Sequence, residues 1–290
     1  MAKHSHTLLA VGIVVLIGVC RIAHSAEIKV LSDGPLEPAL TQAAEAFHRA
    51  SSHTVKFGFG LSPIIHKRVM DGESVDVVII QPNFIDELVK ARKLESGEPP
   101  VVGRVGIGLF VRAGVAVPDI STPATLKRTL LSADALVFNN VASGNYFATV
   151  LERLDISEAV KGKVARVSPA DVVARIVEGK GTDIGVGALP LILMDKRLTL
   201  AGPLPGELQS YLVYAAAIAT NAPSPDVGKD FIRFLASPAA RAAFTAKWCR
   251  LICLEWSSQM MGGDITVESE SGRGFIIRVP QIVEVGKDAQ

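Results

Sequence analysis

The sequence predicts an α/β fold of two lobes, with mostly parallel sheets and a hinge between the lobes, and three observations carry that expectation. Short apolar runs alternate with amphipathic stretches along the chain, as in a layered α/β protein. Two longer apolar strands, 103–112 and 211–219, divide it into an early, a middle and a late block. Several runs end in polar or glycine-rich loops that open a helix, the place where open α/β sheets bind ligands. With the long strands as crossovers, the early and late blocks form one lobe and the middle block the other, leaving a cleft that hinge motion can close.

Residues 28–31 read as the first strand, followed by the loop SDGPLEP and a helix with Leu40, Ala43, Ala44 and Phe47 at amphipathic spacing. Asp33 in that loop has two readings, a loop or capping aspartate, or a carboxylate facing the cleft. Val55, Phe57 and Phe59 alternate with small or polar residues, as in a strand with one covered face, whereas residues 75–80 are apolar apart from Asp76 and fit a parallel strand buried on both faces. Between them the Gly60-Leu61-Ser62 turn leads into a short helix, with Ser62 as N-cap and Pro63 at the first helical position, ending near Asp71-Gly72.

Residues 82–91 form the next helix, and the glycines of VVGRVGIGLFVR (101–112) suggest bends or a change of sheet. Thr122-Pro123 starts a helix, and 135–138 is a short buried strand. In NNVASGNYFATVLERL a second polar loop runs into a helix; Asn139, Asn140, Ser143, Gly144 and Asn145 supply donors there or serve turn chemistry. Strand 164–167 and Ser168-Pro169 repeat the strand, Ser-Pro, helix start. Strand 183–187, a short helix from Pro190, strand 211–219 and helices 225–237 and 238–248 complete the reading.

Lys3, the apolar run 8–19 and AHSAE are the three regions of a secretory signal peptide, residues 1–25, cleaved after Ser25. The run is shorter than the roughly 20 apolar residues that span a bilayer. Val19 before Cys20 is bulky for a lipid-attachment signal, so a periplasmic protein is expected. Cys249 and Cys253 lack the second pair that a zinc site needs. A formal charge of +1 offers no basic surplus for nucleic acid. Gly58-Phe59-Gly60 and Gly185-Val186-Gly187 lack a third glycine and dinucleotide spacing, and there is no Walker loop, H-E-x-x-H or nucleophile elbow. Asp76 and Asp183 read as capping or solvated carboxylates. No catalytic residue, metal or cofactor is expected.

EIKVLSDGPLEPALTQAAEAF, FGFGLSPIIHKRVMDGESVDVVII, ASGNYFATVLERL, SPADVVARIVEGKGTDIGVG and FIRFLASPAARAAFTAKW occur in that order across about residues 26–248. Together they resemble extracytoplasmic solute-binding proteins of ABC transporters, and within them the molybdate-binding group with the type II periplasmic-binding fold. The resemblance implies a monomeric, non-enzymatic protein that captures a small-molecule or oxyanion ligand for an ABC permease in the inner membrane. It also implies lobe I from 26–105 plus 213–248 and lobe II from 106–212.

In that group hydroxyls and backbone N–H groups at helix N-termini from both lobes hold the oxyanion. Carried over residue by residue, the pattern falls on Ser32, Asp33 and Gly34, on Gly60, Leu61 and Ser62, on Ser143, Gly144 and Asn145, on Ala170 and Asp171, and on Ala188. The first loop's usual serine falls near Pro35 and the closing tyrosine near Ala188, so two side chains of a molybdate site are missing. A helix N-terminus favours an anion by roughly 0.3–1 kcal/mol, up to about 2 when partly buried. A carboxylate about 4 Å from that anion repels it by about 4 kcal/mol at an effective dielectric near 20. Either Asp33 points away and the ligand is an oxyanion, or it faces the ligand and the solute is neutral or carries donors.

From Met260, MMGGDITVESESGRGFIIRVP resembles the last segment of the ATP-binding domain of sensor histidine kinases, where Gly-Gly precedes two antiparallel strands. The upstream motifs of that family are absent, so residues 249–290 read as an appended remnant. The tail leaves open an alternative role as the ligand-sensing input of a two-component system.

Overall fold

In the computed structural model the described residues are 25–238 and Ala240, together with the backbone of 266–270 and 274–278. Strand β1 (Glu27–Asp33) passes through a 3-10 turn, Gly34–Leu36, into helix α1 (Glu37–Ser51), which buries Ala39, Leu40, Ala43 and Phe47 along one stripe. Then follow β2 (Thr54–Gly60), α2 (Ser62–Met70), β3 (Val77–Ile80), α3 (Pro82–Lys90) and β4 (Val101–Arg112). As an edge strand, β2 leaves Val55, Phe57 and Phe59 half-buried, whereas every residue of β3 is buried.

The middle block supplies α4 (Pro123–Ser132), β5 (Leu136–Asn139), α5 (Ala142–Arg153), the single turn α6 (Ser157–Val160), β6 (Val164–Val167), α7 (Asp171–Glu178), β7 (Ile184–Ala188), α8 (Leu189–Met194) and β8 (Leu198–Pro203). The chain returns through β9 (Tyr211–Ile218) and α9 (Pro225–Leu235). Helix α4 starts where the Thr-Pro signal puts it, because Thr122 and Thr125 each bond the other's backbone N–H in a capping box. Strand β8 and the turn α6 go beyond the sequence reading. LTLAGP becomes a strand by pairing with Gly108 to Arg112 of β4. Ser168-Pro169 does not repeat the start at 62–63: α7 begins at Asp171, with Ala170 as N-cap.

Nine strands form one sheet, eight of them along the path β2-β1-β3-β9-β4-β7-β5-β6 and β8 on β4. The outer strands of each half are parallel: β1 lies between β2 and β3, and β5 between β6 and β7. The two long strands enter antiparallel, β9 against β3 and β4 against β9, β7 and β8. Along its length β4 changes partners: Val101 to Gly106 pair with β9, and Ile107 to Arg112 with β7 and β8. At that junction the Gln209 amide accepts the Ile107 N–H at 3.1 Å and donates to the Ile107 carbonyl at 3.0 Å, as a strand neighbour would.

Buried side chains divide accordingly. On one side of the junction Ile28, Leu40, Phe47 and Phe231 cover one face of the sheet, and Leu31, Ile65, Val78 and Leu88 the other. On the far side Leu126, Phe138 and Phe147 cover one face, and Val137, Val172 and Ile176 the other. The result is two helix-sheet-helix lobes on a shared sheet.

Strands β10 (Thr266–Glu270) and β11 (Gly274–Arg278) pair antiparallel. The rest of the tail from residue 249 with its expected kinase likeness, Cys249 and Cys253, nearly all of the helix read at 238–248, and the expected signal peptide except Ser25 lie outside the described residues. No helix among the described residues is long and apolar enough to cross a membrane.

Candidate functional site

A cavity of about 660 Å³ opens at the carboxyl ends of β1, β3, β5 and β7, with walls from both lobes. Of the residues singled out in the sequence, Asp33, Gly34, Gly60, Leu61, Ser62, Ser143, Asn145 and Ala188 line it. Ser32, Gly144, Ala170 and Asp171 stand off the wall. Ser32 is wholly buried in β1, and exposed Asp171 accepts the Ser168 hydroxyl at 2.7 Å; its neighbours Pro169 and Val172 reach the cavity instead.

Asp33 ends β1 and is 4% exposed. Its Oδ2 accepts the Ser62 backbone N–H at 2.9 Å and also the Ser62 hydroxyl. The structure therefore corrects the expected cap. Leu61 is the N-cap of α2 and makes no side-chain cap bond, while Ser62 is the first helical residue and turns its hydroxyl to Asp33. A carboxylate supplied by the neighbouring loop satisfies the orphan donor and sits at the positive end of the helix. Ser62 Oγ also accepts the Gln81 N–H at 3.2 Å, which ties the end of β3 to the same point. Burial pushes the Asp33 carboxyl above its usual range, opposed by the hydrogen bonds from Ser62 and Gly34.

Tyr214 of β9 is 1% exposed and hydrogen-bonds the Gln81 side chain. Burial holds its phenol well above the ordinary value, and the charge of Asp33 adds to that effect, so the ring presents a neutral hydroxyl.

In the other lobe Asn139 occupies the equivalent place at the end of β5. Its Oδ1 accepts the N–H groups of Val141 at 3.1 Å and Gly144 at 3.0 Å, and its Nδ2 donates to Ser143 Oγ at 2.8 Å. Turn chemistry is thus what Asn139 does. A Cβ at position 144 would overlap the Asn139 carbonyl oxygen, so only glycine lets α5 start this close to its strand. The starts of α2 and α5 therefore turn donors inward, to Asp33 on one side and Asn139 on the other.

The remaining wall is largely apolar, with Phe84, Phe110, Val173, Leu191, Ile192 and Leu212. No lysine, arginine or histidine lines it among the described residues. Arg166 stays behind the wall, where it hydrogen-bonds Asn145 Oδ1 and lies over the Phe138 ring at 5.5 Å. No group of three or more His, Cys, Asp or Glu placed to hold a metal occurs among the described residues.

Gln81, Asn83, Phe84, Phe110 and Tyr214 were missed in the sequence. Gln81 carried a usable signal, a polar residue between a buried strand and a Pro-initiated helix. Phe110 and Tyr214 did not, because an apolar residue inside a long strand reads as core.

Residues 28–248 match the family described as bacterial extracellular solute-binding protein. An aconitate isomerase from a Pseudomonas species is 26% identical over 222 residues, covering 74% of this chain and 84% of that protein. A substrate-binding domain from Clostridium difficile, named for a molybdenum ABC transporter, superposes with a TM-score of 0.63 at 18% identity, covering 76% of this chain and 96% of that one. The periplasmic molybdate-binding protein of Azotobacter vinelandii gives 0.61 at 18% identity, covering 76% and 97%. At such identities the solved structures establish the fold.

Proposed function

The chain belongs to the bacterial extracellular solute-binding proteins, and we propose that it captures a small polar solute between its lobes and delivers it to an ABC permease. One observation carries this reading: the cavity of about 660 Å³ takes its walls from both lobes, where the sheet passes from one to the other. That volume suits a small molecule, and sites of this kind favour domain junctions. In this reading lobe I comprises 26–105 plus 213–248 and lobe II 106–212, and the mature chain works as a periplasmic monomer after cleavage at Ser25. The solute contacts Asp33, Gly34, Gly60, Leu61, Ser62, Ser143, Asn145 and Ala188, joined by Gln81 and Tyr214.

Of the two alternatives for the ligand, the arrangement of Asp33 favours the neutral or donor-bearing one. The Ser62 N–H and hydroxyl that would hold an oxyanion already serve the protein's own carboxylate. The same wall disfavours aconitate isomerisation for this chain, because a tricarboxylate would meet Asp33 with no cationic side chain lining the cavity among the described residues.

Thermal unfolding of the mature chain against oxyanions, sugars, carboxylates, amino acids and amines tests the proposal. A solute at one hundred times its Kd adds about 2.7 kcal/mol. At roughly 2–4 °C per kcal/mol for a protein of this size, its melting point rises by about 5–11 °C. A screen in which no compound shifts the transition refutes solute capture.

A further inference from the structure

Resting on the capture reading above, we propose that the solute is an organic cation, a small amine carrying an apolar body, and that Asp33 selects it. The cavity is electrostatically one-sided. Among the described residues that line it, Asp33 bears the one formal charge. The basic side chains nearby are engaged elsewhere, Arg166 with Asn145 and His66 with Glu87. Every hydrogen bond found at the Asp33 carboxylate comes from a neutral donor, Ser62 or Gly34. The positive end of α2 offsets this buried carboxylate only in part, and with no cationic side chain paired to it a ligand cation would complete the balance.

The donor inventory points the same way. A bare anion at the α2 start must displace Asp33 from Ser62, and at the α5 start the Val141 and Gly144 N–H groups already serve Asn139. The acceptors suit the opposite ligand. Besides Asp33, Gln81 and Asn140 line the cavity, and their side-chain amides carry carbonyl oxygens to which an ammonium group can donate. Phe84, Phe110 and Tyr214 bring aromatic rings to the wall, a residue type that attracts cations and covers an apolar body, with Leu191 and Leu212 beside them.

The test uses the full mature chain, titrated by calorimetry with phenethylammonium and its uncharged isostere 2-phenylethanol, and separately with molybdate, sulfate and citrate. Wild type is expected to bind the amine at least tenfold more tightly than the alcohol. In Asp33→Asn that preference should fall to within about threefold, the size expected when a charge-assisted hydrogen bond becomes a neutral one. Asn140→Asp, at an exposed position, adds a second carboxylate and should tighten the amine severalfold without helping the alcohol, so the inference stays testable if the first variant fails to fold. Equal affinity for amine and alcohol overturns it, as does saturable binding of molybdate, sulfate or citrate with the amine silent. If no compound of the broad screen binds, the capture reading itself falls.

Discussion

Replacing Asn139 with alanine should loosen the start of α5, and the size of the effect follows from its contacts. Three hydrogen bonds disappear, from the Val141 and Gly144 N–H groups to Oδ1 and from Nδ2 to Ser143 Oγ. A neutral hydrogen bond contributes about 0.5–1.5 kcal/mol net, more when a buried group is left unpaired. Gly144 and Ser143 are buried, which argues for the upper part of that range, but water entering from the cavity can reach the vacated position and offset some of the loss. A destabilisation of about 2–3 kcal/mol results, or roughly 4–12 °C in the melting point of a protein this size. Asn139→Asp is the control, because a carboxylate still accepts both N–H groups and Ser143 can donate to it. Thermal unfolding of the mature chain at neutral pH, followed by circular dichroism, reads both. A melting point for the alanine variant within about 1 °C of wild type, below the range worked from those bonds, refutes the reasoning. So does an aspartate variant as unstable as the alanine one.

The other predictions concern the remaining carboxylates. Asp76, 2% exposed, accepts the Lys29 N–H at 2.8 Å and the Ser224 N–H at 2.7 Å, joining β1 to the start of α9. Asp76→Ala should therefore cost about 2–5 kcal/mol in denaturant unfolding, and a loss below about 0.5 kcal/mol would sink the bridging role. For Asp33 burial raises the folded-state pKa above the ordinary 3.8, so its ionised form weakens the fold above the raised pKa, and the penalty disappears as pH falls below 3.8. Asp33→Asn should accordingly melt above wild type at pH 7 and converge with it near pH 3; a lower melting point at pH 7 contradicts this. Glu73 has the opposite sign. Hydrogen bonds from Arg68, then Lys29, bring its pKa from 4.5 down to about 2, so its contribution is complete above 4.5 and is lost as pH falls towards 2. Glu73→Gln should cost about 0.5–1 kcal/mol at neutral pH, as suits a partly exposed ion pair, with no difference left near pH 2. A gap that persists in acid would point to packing instead.

What the chain discloses unaided depends on how far apart the deciding partners lie. The stripe of α1 and the helix start at Thr122-Pro123 are local, and both were legible from neighbouring residues. The turn at 60–62 was found for the same reason, but the role of Ser62 was not. Its partner Asp33 lies 29 residues away, and a serine before a proline reads as a cap until a carboxylate from another loop takes its hydroxyl. Tyr214 and Phe110 show a second kind of silence. A strand that ends one lobe and borders a cleft carries the same apolar letters as one inside a core, and which residue meets the cavity depends on neighbours contributed by β3 and β7. Strand β8 was hidden because its pairing depends on the open edge of β4.

The ladder between β4 and β9 has a mechanical consequence. Hydrogen bonding runs from Val101 to Gly106, and the Gln209 amide carries it on to Ile107. The two passages between the lobes are thus fused into a single ribbon. A ribbon flexes readily across its face but resists bending in its own plane, where one strand would have to lengthen and the other shorten. If the lobes hinge as the fold class suggests, such a ribbon favours rotation about one axis, like a door on a pin. On the proposed capture reading the cavity would then open as a slot on one side, with solute entering and leaving by the same path. Stiffening the ribbon would slow arrival and departure together, leaving their ratio, and hence affinity, to the walls.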